Sequence, residues 1–180
     1  MMHEGAAKVL NFWREAGPER WFDKNAEFDA RFHDQFRELH FTAARQEFDD
    51  WLKTSDEALA LLLLLDQFPR NCFRGTAHMY ATDYLALHYA RRALVAHLDA
   101  QVEEQLRIFF YLPFMHAEDL ADQELCCKLC EPLGGNSLHH AIEHRDIVAR
   151  FGRFPHHNAI LLRETTAEER AFLEAGGFAG

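Results

Sequence analysis

Three segments of the chain combine residue types that could do chemistry, and they share one pattern. In each, an apolar or aromatic residue and a proline lead directly into a tight polar cluster. Because proline tends to end a helix, we expect each cluster to lie at a helix end. The clusters are Asp66–Asn71 with Arg74 beyond it, Tyr111–His116 leading to Glu118 and Asp119, and Gly152–Asn158 leading to Arg163.

Arginine binds carboxylates and phosphates through paired hydrogen bonds, and four arginines lie in these clusters. We therefore predict that the three helix ends converge on one pocket for a small anionic ligand. The predicted ligand-binding residues are Asp66, Gln67, Arg70, Asn71, Arg74, His116, Glu118, Asp119, Arg153, His156, Asn158 and Arg163.

Two alternatives stay open for the same residues. Basic side chains near the end of a helix and acidic side chains in its first turn stabilise the helix without binding anything. The pocket could instead belong to an enzyme, a hydrolase or lyase in which His116, Glu118 and Asp119, or Asp66, act as acid–base groups. Serine nucleophile motifs and glycine-rich phosphate loops are absent from the sequence.

Two short motifs suggest metal binding. His140–His144 spells H-x-x-E-H, the inverted zinc-peptidase pattern, but so short a motif in a histidine-rich chain has a substantial chance rate. Cys127–Cys130 spells C-x-x-C, without the second pair that a structural zinc site needs. Buried packing of these cysteines is the favoured interpretation. The sequence predicts neither a metal site nor a cofactor.

The elements that would position these residues are helices. Leucine and alanine greatly outnumber valine and isoleucine, and apolar residues recur at steps of three and four. Proline should turn the chain at Phe68 and stop a later helix at Leu112. We predict one all-α domain over residues 1–180 with eight or nine helices. Their approximate ranges are 4–16, one capped by Asn25, one opened by a Thr54–Glu57 capping box and running to 65, 82–97, 101–112, 118–131, 137–151, and a short one opened by a capping box at Thr166 and Glu169.

Composition excludes several classes of partner. The net charge is −10, which repels phosphate backbones and anionic lipid, so we expect no nucleic-acid and no membrane-surface role. The longest aliphatic run, Leu61–Leu65, is far too short to span a bilayer. Four cysteines without a secretory signal favour a cytoplasmic protein with reduced thiols.

Several of these motifs, in the same order, resemble the bacterial domain-of-unknown-function 924 family. The resemblance implies an all-α fold similar to a tetratricopeptide-like superhelix, and it implies no established activity. By fold analogy it also opens a third alternative, a scaffold that binds a protein partner. The motifs are Val9–Trp13, Trp21-Phe22, Asp66–Asn71, Tyr111–Leu120 and Phe151–Asn158.

The chain departs from the family pattern at two positions near the third cluster. The family has an arginine where this chain has His157. It also has a glycine before the arginine that corresponds to Arg163, and this chain has Leu162 there. Arg70, Asn71, Arg153, His156 and Asn158 match the pattern.

Overall fold

The computed structural model describes residues 2–178, and all regular structure within this range is helical. The prediction of an all-α fold is confirmed, and eight α-helices in this range have eight residues or more. The tetratricopeptide-like arrangement stays a prediction. The α-helices are α1 (Glu4–Ala16), α2 (Pro18–Trp21), α3 (Ala26–Ala44), α4 (Ser55–Leu62), α5 (Phe68–Cys72), α6 (Asp83–Val95), α7 (Ile108–Met115), α8 (Leu120–Cys130), α9 (Gly135–Phe151) and α10 (Ala167–Glu174).

None of the helices in the described range has both the length and the apolar composition that crossing a membrane requires.

Side-chain caps set several helix starts where the sequence predicts them. Asn25 accepts a hydrogen bond from the amide of Phe28 at the start of α3. Thr166 and Glu169 form a complete capping box at α10. At α4 the box is only half formed, since the Glu57 carboxylate binds the Thr54 hydroxyl and the His3 amide instead of the Thr54 amide.

The α-carbon contacts divide the chain into two units. Unit 1 comprises Met1–Arg74 and His78–Pro113, and unit 2 comprises Gly75–Ala77 and Phe114–Gly180. In unit 1, α4 packs against α1 and α6, and the leucines of its apolar run are fully buried. In unit 2, α8 packs against α9, and a small core forms around Ile147, Val148 and Phe154. The prediction of one domain over the whole chain is not tested by this division.

Pro69 does not end a helix, so the predicted turn at Phe68 is wrong. The helix widens into a π-helical segment, Leu63–Gln67, and continues as α5 with the proline in its first turn. In this segment the Phe68 amide bonds to the Leu63 carbonyl, five residues back, and thus leaves the carbonyl of Leu64 without its usual donor. Pro69 has no N–H, so the carbonyl of Leu65 also loses its donor.

Side chains from two other helical segments bind both of these carbonyl oxygens. His40 Nδ1 donates to Leu64 O at 2.8 Å, and Thr82 Oγ1 donates to Leu65 O at 2.5 Å. His40 is fully buried, and its Nε2 lies 2.9 Å from Nε2 of His78. Since Nδ1 of a neutral His40 carries the proton, His78 Nε2–H donates to His40 Nε2. These two bonds replace the helical hydrogen bonds that the π-helical segment and Pro69 take away from Leu64 O and Leu65 O.

Pro113 also lies inside a helix, which contradicts the predicted helix over 101–112. Two short 3₁₀ turns, Asp99–Gln101 and Glu104–Leu106, occupy the first part of that range. Helix α7 then runs through Pro113 to Met115, and every residue of it is buried. Burial of a fully apolar helix outweighs the one backbone hydrogen bond that the proline removes.

Replacing Thr82 with valine removes the donor to Leu65 O while keeping the shape of the side chain. The carbonyl is then buried without a partner, so we expect the free energy of unfolding to fall by about 2 kcal/mol. Urea denaturation measures this.

Thr42→Val is the matched control, because Thr42 Oγ1 donates to Glu38 O on the exposed face of α3. That carbonyl also has the helix's own amide as a donor, so the change should be below about 0.5 kcal/mol. Equal losses in the two variants would show that the Thr82 hydroxyl does not compensate for the proline.

Candidate functional site

The first predicted cluster lies in unit 1, where Arg70 is bound to two carboxylates. Its guanidinium donates to both oxygens of Asp83, at 2.7 and 2.9 Å, and to Asp66 Oδ1 at 3.3 Å. Burial alone would lower the pKa of Arg70, but Asp66 and Asp83 outweigh it and raise the pKa above its ordinary value. Gln67 Nε2 donates to Asp66 Oδ2 at 2.7 Å, so the buried carboxylate of Asp66 is bound from two sides.

Asn71 and Arg74 meet on a different carboxylate in unit 1, that of Asp29 on α3. Asn71 Nδ2 donates to Asp29 Oδ1 at 2.7 Å, and Arg74 Nε donates to Asp29 Oδ2 at 2.9 Å. These bonds tie the end of α5 and the residues that follow it to the first turn of α3. Sequence reasoning misses both Asp29 and Asp83, because each is an ordinary first-turn residue of its helix.

In unit 2, the start of α8 and the segment after α9 are joined through Glu118. Arg163 binds its two oxygens at 2.6 and 2.8 Å, and the Phe154 amide donates to Oε1 at 2.8 Å. His157 Nδ1 lies 3.7 Å from the same oxygen. Glu118 thus holds both ends of the third cluster. Its neighbour Asp119 caps α8 by accepting from the Asp122 amide.

The turn that brings Arg163 to Glu118 has a strained residue at its corner. Leu162 has φ +54°, in the left-handed region, and its side chain is 93% exposed. The next amide, that of Arg163, donates to Asn158 O at 2.8 Å and closes the turn. Glycine would adopt this backbone conformation without strain.

Arg153 and Asn158 both bind Glu169, the capping residue of α10. Arg153 donates to both carboxylate oxygens, at 2.6 and 2.9 Å, and Asn158 Nδ2 donates to Oε2 at 3.2 Å. The bonds from Arg153 are the main reason why the pKa of Glu169 is lowered to about 2. Glu169 is therefore a charged residue that links α10 to the segment after α9, whereas the sequence indicates only its role as a helix cap.

Histidines from three segments of unit 2 form a separate cluster. The rings of His144 and His156 lie 4.6 and 5.2 Å from the ring of Phe178, and both also contact Phe154. Burial lowers the pKa of His144 to about 4, and repulsion from His116 and His156 adds to this effect. We call His116, His144 and His156 the histidine cluster.

The hydrogen atoms of His144 can be assigned from its partner. Its Nδ1 lies 2.8 Å from the carbonyl oxygen of His140, which can only accept, so Nδ1 carries the proton. Nε2 of the neutral ring then carries a lone pair. In unit 2 the site prediction also misses His144, although this residue ends the H-x-x-E-H motif.

The backbone on both sides of His116 is fixed by Gln123 of α8. Its Nε2 donates to the carbonyls of Met115, at 2.6 Å, and Ala117, at 2.8 Å. These two bonds also fix the orientation of the amide. The opposite atom, Oε1, is buried and has no hydrogen-bond partner among the described residues.

Neither short motif forms a metal centre in the part of the chain that the structure describes. No three His, Cys, Asp or Glu side chains within residues 2–178 lie together as metal ligands. In H-x-x-E-H, His140 is exposed and pairs with Glu143 at 3.5 Å, whereas His144 is buried. In the cysteine segment, it is Cys126 and Cys130 that are buried together, with their sulfur atoms 3.9 Å apart.

The predicted site residues therefore fall into two sets. The second and third clusters come together in unit 2, through Glu118 and around the histidine cluster. The first cluster lies in unit 1 with Asp29 and Asp83. A single pocket for all three clusters stays a prediction.

The fold and these motifs are those of an all-α protein family, and comparison with known proteins identifies the family. A model of the family described as bacterial protein of unknown function, DUF924, matches residues 9–177. The chain belongs to this family. A solved structure, that of the protein of unknown function ATU0120 from Agrobacterium tumefaciens, is similar to it with 64% sequence identity and a TM-score of 0.93. The match covers 95% of this chain and 97% of that chain. None of the curated proteins matches.

Replacing Leu162 with glycine should stabilise the protein. The left-handed backbone costs a residue with a Cβ about 1–2 kcal/mol, and the exposed side chain packs against little. Part of this gain is lost to the greater freedom of glycine in the unfolded chain, so we expect a net gain of about 1 kcal/mol in urea denaturation. Leu162→Ala keeps the Cβ and should show no gain. A loss of stability in the glycine variant would show that the backbone at position 162 is not strained by its side chain.

His144 should make the folded protein less stable as the pH decreases. Its folded-state pKa of about 4 is below the ordinary value of 6.5, so between these values the unfolded chain binds a proton that the folded chain does not. The contribution is complete above pH 6.5 and is lost as the pH falls toward 4, by about 2 kcal/mol at pH 5.

The measurement is the free energy of unfolding in urea at pH 7 and pH 5. His144→Gln should lose about 2 kcal/mol less than the wild type between these pH values. His139→Gln, which changes an exposed histidine of α9, should keep the full wild-type dependence. An unchanged dependence in His144→Gln would show that another group causes the decline.

Proposed function

We propose that this protein binds a small anionic molecule, whose charge is met by the histidine cluster of unit 2. The observation that carries the proposal is the packing of His144 and His156, from different segments, around Phe154 and Phe178, with His116 close enough to lower the pKa of His144. Imidazoles that repel one another when protonated have a strong electrostatic reason to accept an anion between them.

The arginines of the predicted site support this assignment, because carboxylates of the protein already bind them. Each of the four arginines in the predicted site already binds a carboxylate of its own unit through two hydrogen bonds. An external anion would have to displace Asp83, Glu169 or Glu118. We therefore assign the arginines to the framework and the recognition of charge to the histidines.

Binding in such a cluster takes up a proton. At neutral pH burial keeps His144 uncharged, and an anion beside the ring would raise its pKa by favouring the imidazolium. Affinity should therefore increase as the pH falls from 7.5 toward 6. A carboxylate or phosphate is the class of ligand that gains from this exchange.

The framework gives the cluster a fixed geometry before any ligand arrives. Glu118 fixes the backbone of Phe154, and Glu169 fixes Asn158, so His156 lies between two anchored residues. Gln123 fixes the backbone around His116 in the same way.

We propose that the protein acts in the cytoplasm, and we propose no cofactor for it. The four cysteines are thiols rather than disulfides, as expected in a reducing compartment. A protein partner, the remaining alternative from the sequence, would be detected by affinity capture and stays a prediction.

A thermal-shift screen tests the proposal directly. Organic acids and phosphates are compared at pH 6 and pH 7.5, with divalent metals as a separate set. A ligand at a hundredfold over its Kd stabilises the folded state by about 2.7 kcal/mol, which raises Tm by several degrees for a chain of this size. Titration calorimetry in buffers of different ionisation enthalpy should then show uptake of about one proton for each ligand bound.

His156→Gln and His144→Gln should each weaken the binding of a hit at least about tenfold, whereas His139→Gln should leave it unchanged. Binding that persists in both cluster variants with unchanged proton uptake would refute the proposal. Loss of binding only in Arg70→Ala would move the ligand to unit 1.

An enzyme is the second candidate, and one observation favours it. His144 is an uncharged base at neutral pH with its lone pair assigned to Nε2. Glu118 and Asp119, in contrast, are engaged by Arg163 and by the amide of Asp122. If a bound acid is also turned over, the rate should fall in His116→Ala and His144→Gln. Retained turnover in both variants would exclude these bases.

A further inference from the structure

The segment that follows α10 turns back and places Phe178 against the histidine cluster. The Gly176 amide bonds to Leu173 O at 3.1 Å and the Gly177 amide to Phe172 O at 3.0 Å, with φ +83° at Gly176. This pair of bonds is a Schellman motif, which reverses the chain at the end of a helix. The reversal directs the next residue, Phe178, back over unit 2.

Glycine at position 177 suits this path. A Cβ there would lie 2.5 Å from the far end of the Phe172 ring, so any other residue would force that ring to shift. The φ angle of Gly177 is not left-handed, so the constraint is the close approach alone. Glycine at position 177 therefore favours docking of the segment.

Phe178 completes the docking with a single ring. It contacts the imidazoles of His144 and His156 edge to face, and it packs against the core around Ile147, Val148 and Phe154. One half-buried side chain beyond a glycine pair is a weak attachment compared with the helices around it. A phenyl ring therefore covers the two groups that the proposed function assigns to an anion.

We propose that Phe178 is an internal occupant of the apolar half of the histidine site, and that the ligand is an aryl carboxylic acid whose ring takes its place. The carboxylate would meet His144 and His156 while the ring rests on Phe154 and Val148, where the phenyl group of Phe178 now packs. This inference rests on the proposed function, since it names the class of ligand for the same site. The segment 176–178 then acts as a strap that must lift before the ligand enters.

The first test needs no ligand. Diethyl pyrocarbonate, which modifies uncharged imidazoles, is used on the wild type and on Phe178→Ala and Gly177→Ala, with modified sites assigned by mass spectrometry. We expect faster modification of His144 and His156 in both variants. Tyr84→Ala is the control, because it removes an exposed aromatic ring from α6 of unit 1, outside the cluster. Unchanged modification in both strap variants overturns the covering role of Phe178.

The second test uses benzoate and phenylacetate as probes, with acetate and inorganic phosphate as small anions. Removal of an internal competitor should tighten the binding of the aryl acids to Phe178→Ala by at least about tenfold and leave acetate unchanged. Equal affinities in wild type and variant overturn the strap while leaving the proposed function intact. Failure of every acid to bind Phe178→Ala, despite faster modification of its histidines, overturns the proposed function and the ligand class together.

Discussion

Two carbonyl oxygens in the most apolar stretch of the chain constrain how unit 1 is built. Those of Leu64 and Leu65 lose their helical donors to a π-helical turn and to Pro69, and in a buried helix neither can turn to water. His40 and Thr82 supply the missing hydrogen bonds. Helix α3 and the start of α6 must therefore lie against this turn, which also places Asp83 beside Arg70.

The charged side chains show a second constraint, that buried or half-buried charges are paired within each unit. Four arginines at the predicted site bind Asp29, Asp83, Glu118 and Glu169. Each pair joins segments that are distant along the chain, and the cost of desolvating an arginine is offset by a bidentate partner. In unit 2 the carboxylates of two such pairs also bind Phe154 and Asn158, on either side of His156, while burial keeps the neighbouring His144 uncharged at neutral pH.

The sequence predicts the helices well and the partners of polar residues poorly. Caps at Asn25 and Thr166 are local, and local signals suffice for α1, α3 and α10. The turn expected at Pro69 does not form, because the groups that compensate for the proline, His40 and Thr82, lie 29 residues before and 13 after it. Arg70 and Arg163 look like available donors in the sequence for the same reason, since nothing local to them indicates Asp83 or Glu118.

The short tether of Phe178 bears on the apparent affinity of the proposed site. A group held by a flexible segment of a few residues competes with free molecules at an effective concentration in the millimolar range. Under the proposed function the ring raises the apparent Kd of every ligand by one constant factor, so a trace compound with modest affinity rarely displaces it and an abundant acid does. Under the proposed function, the Gly176-Gly177 turn thus helps to set how much ligand the site needs as well as which class of ligand it takes.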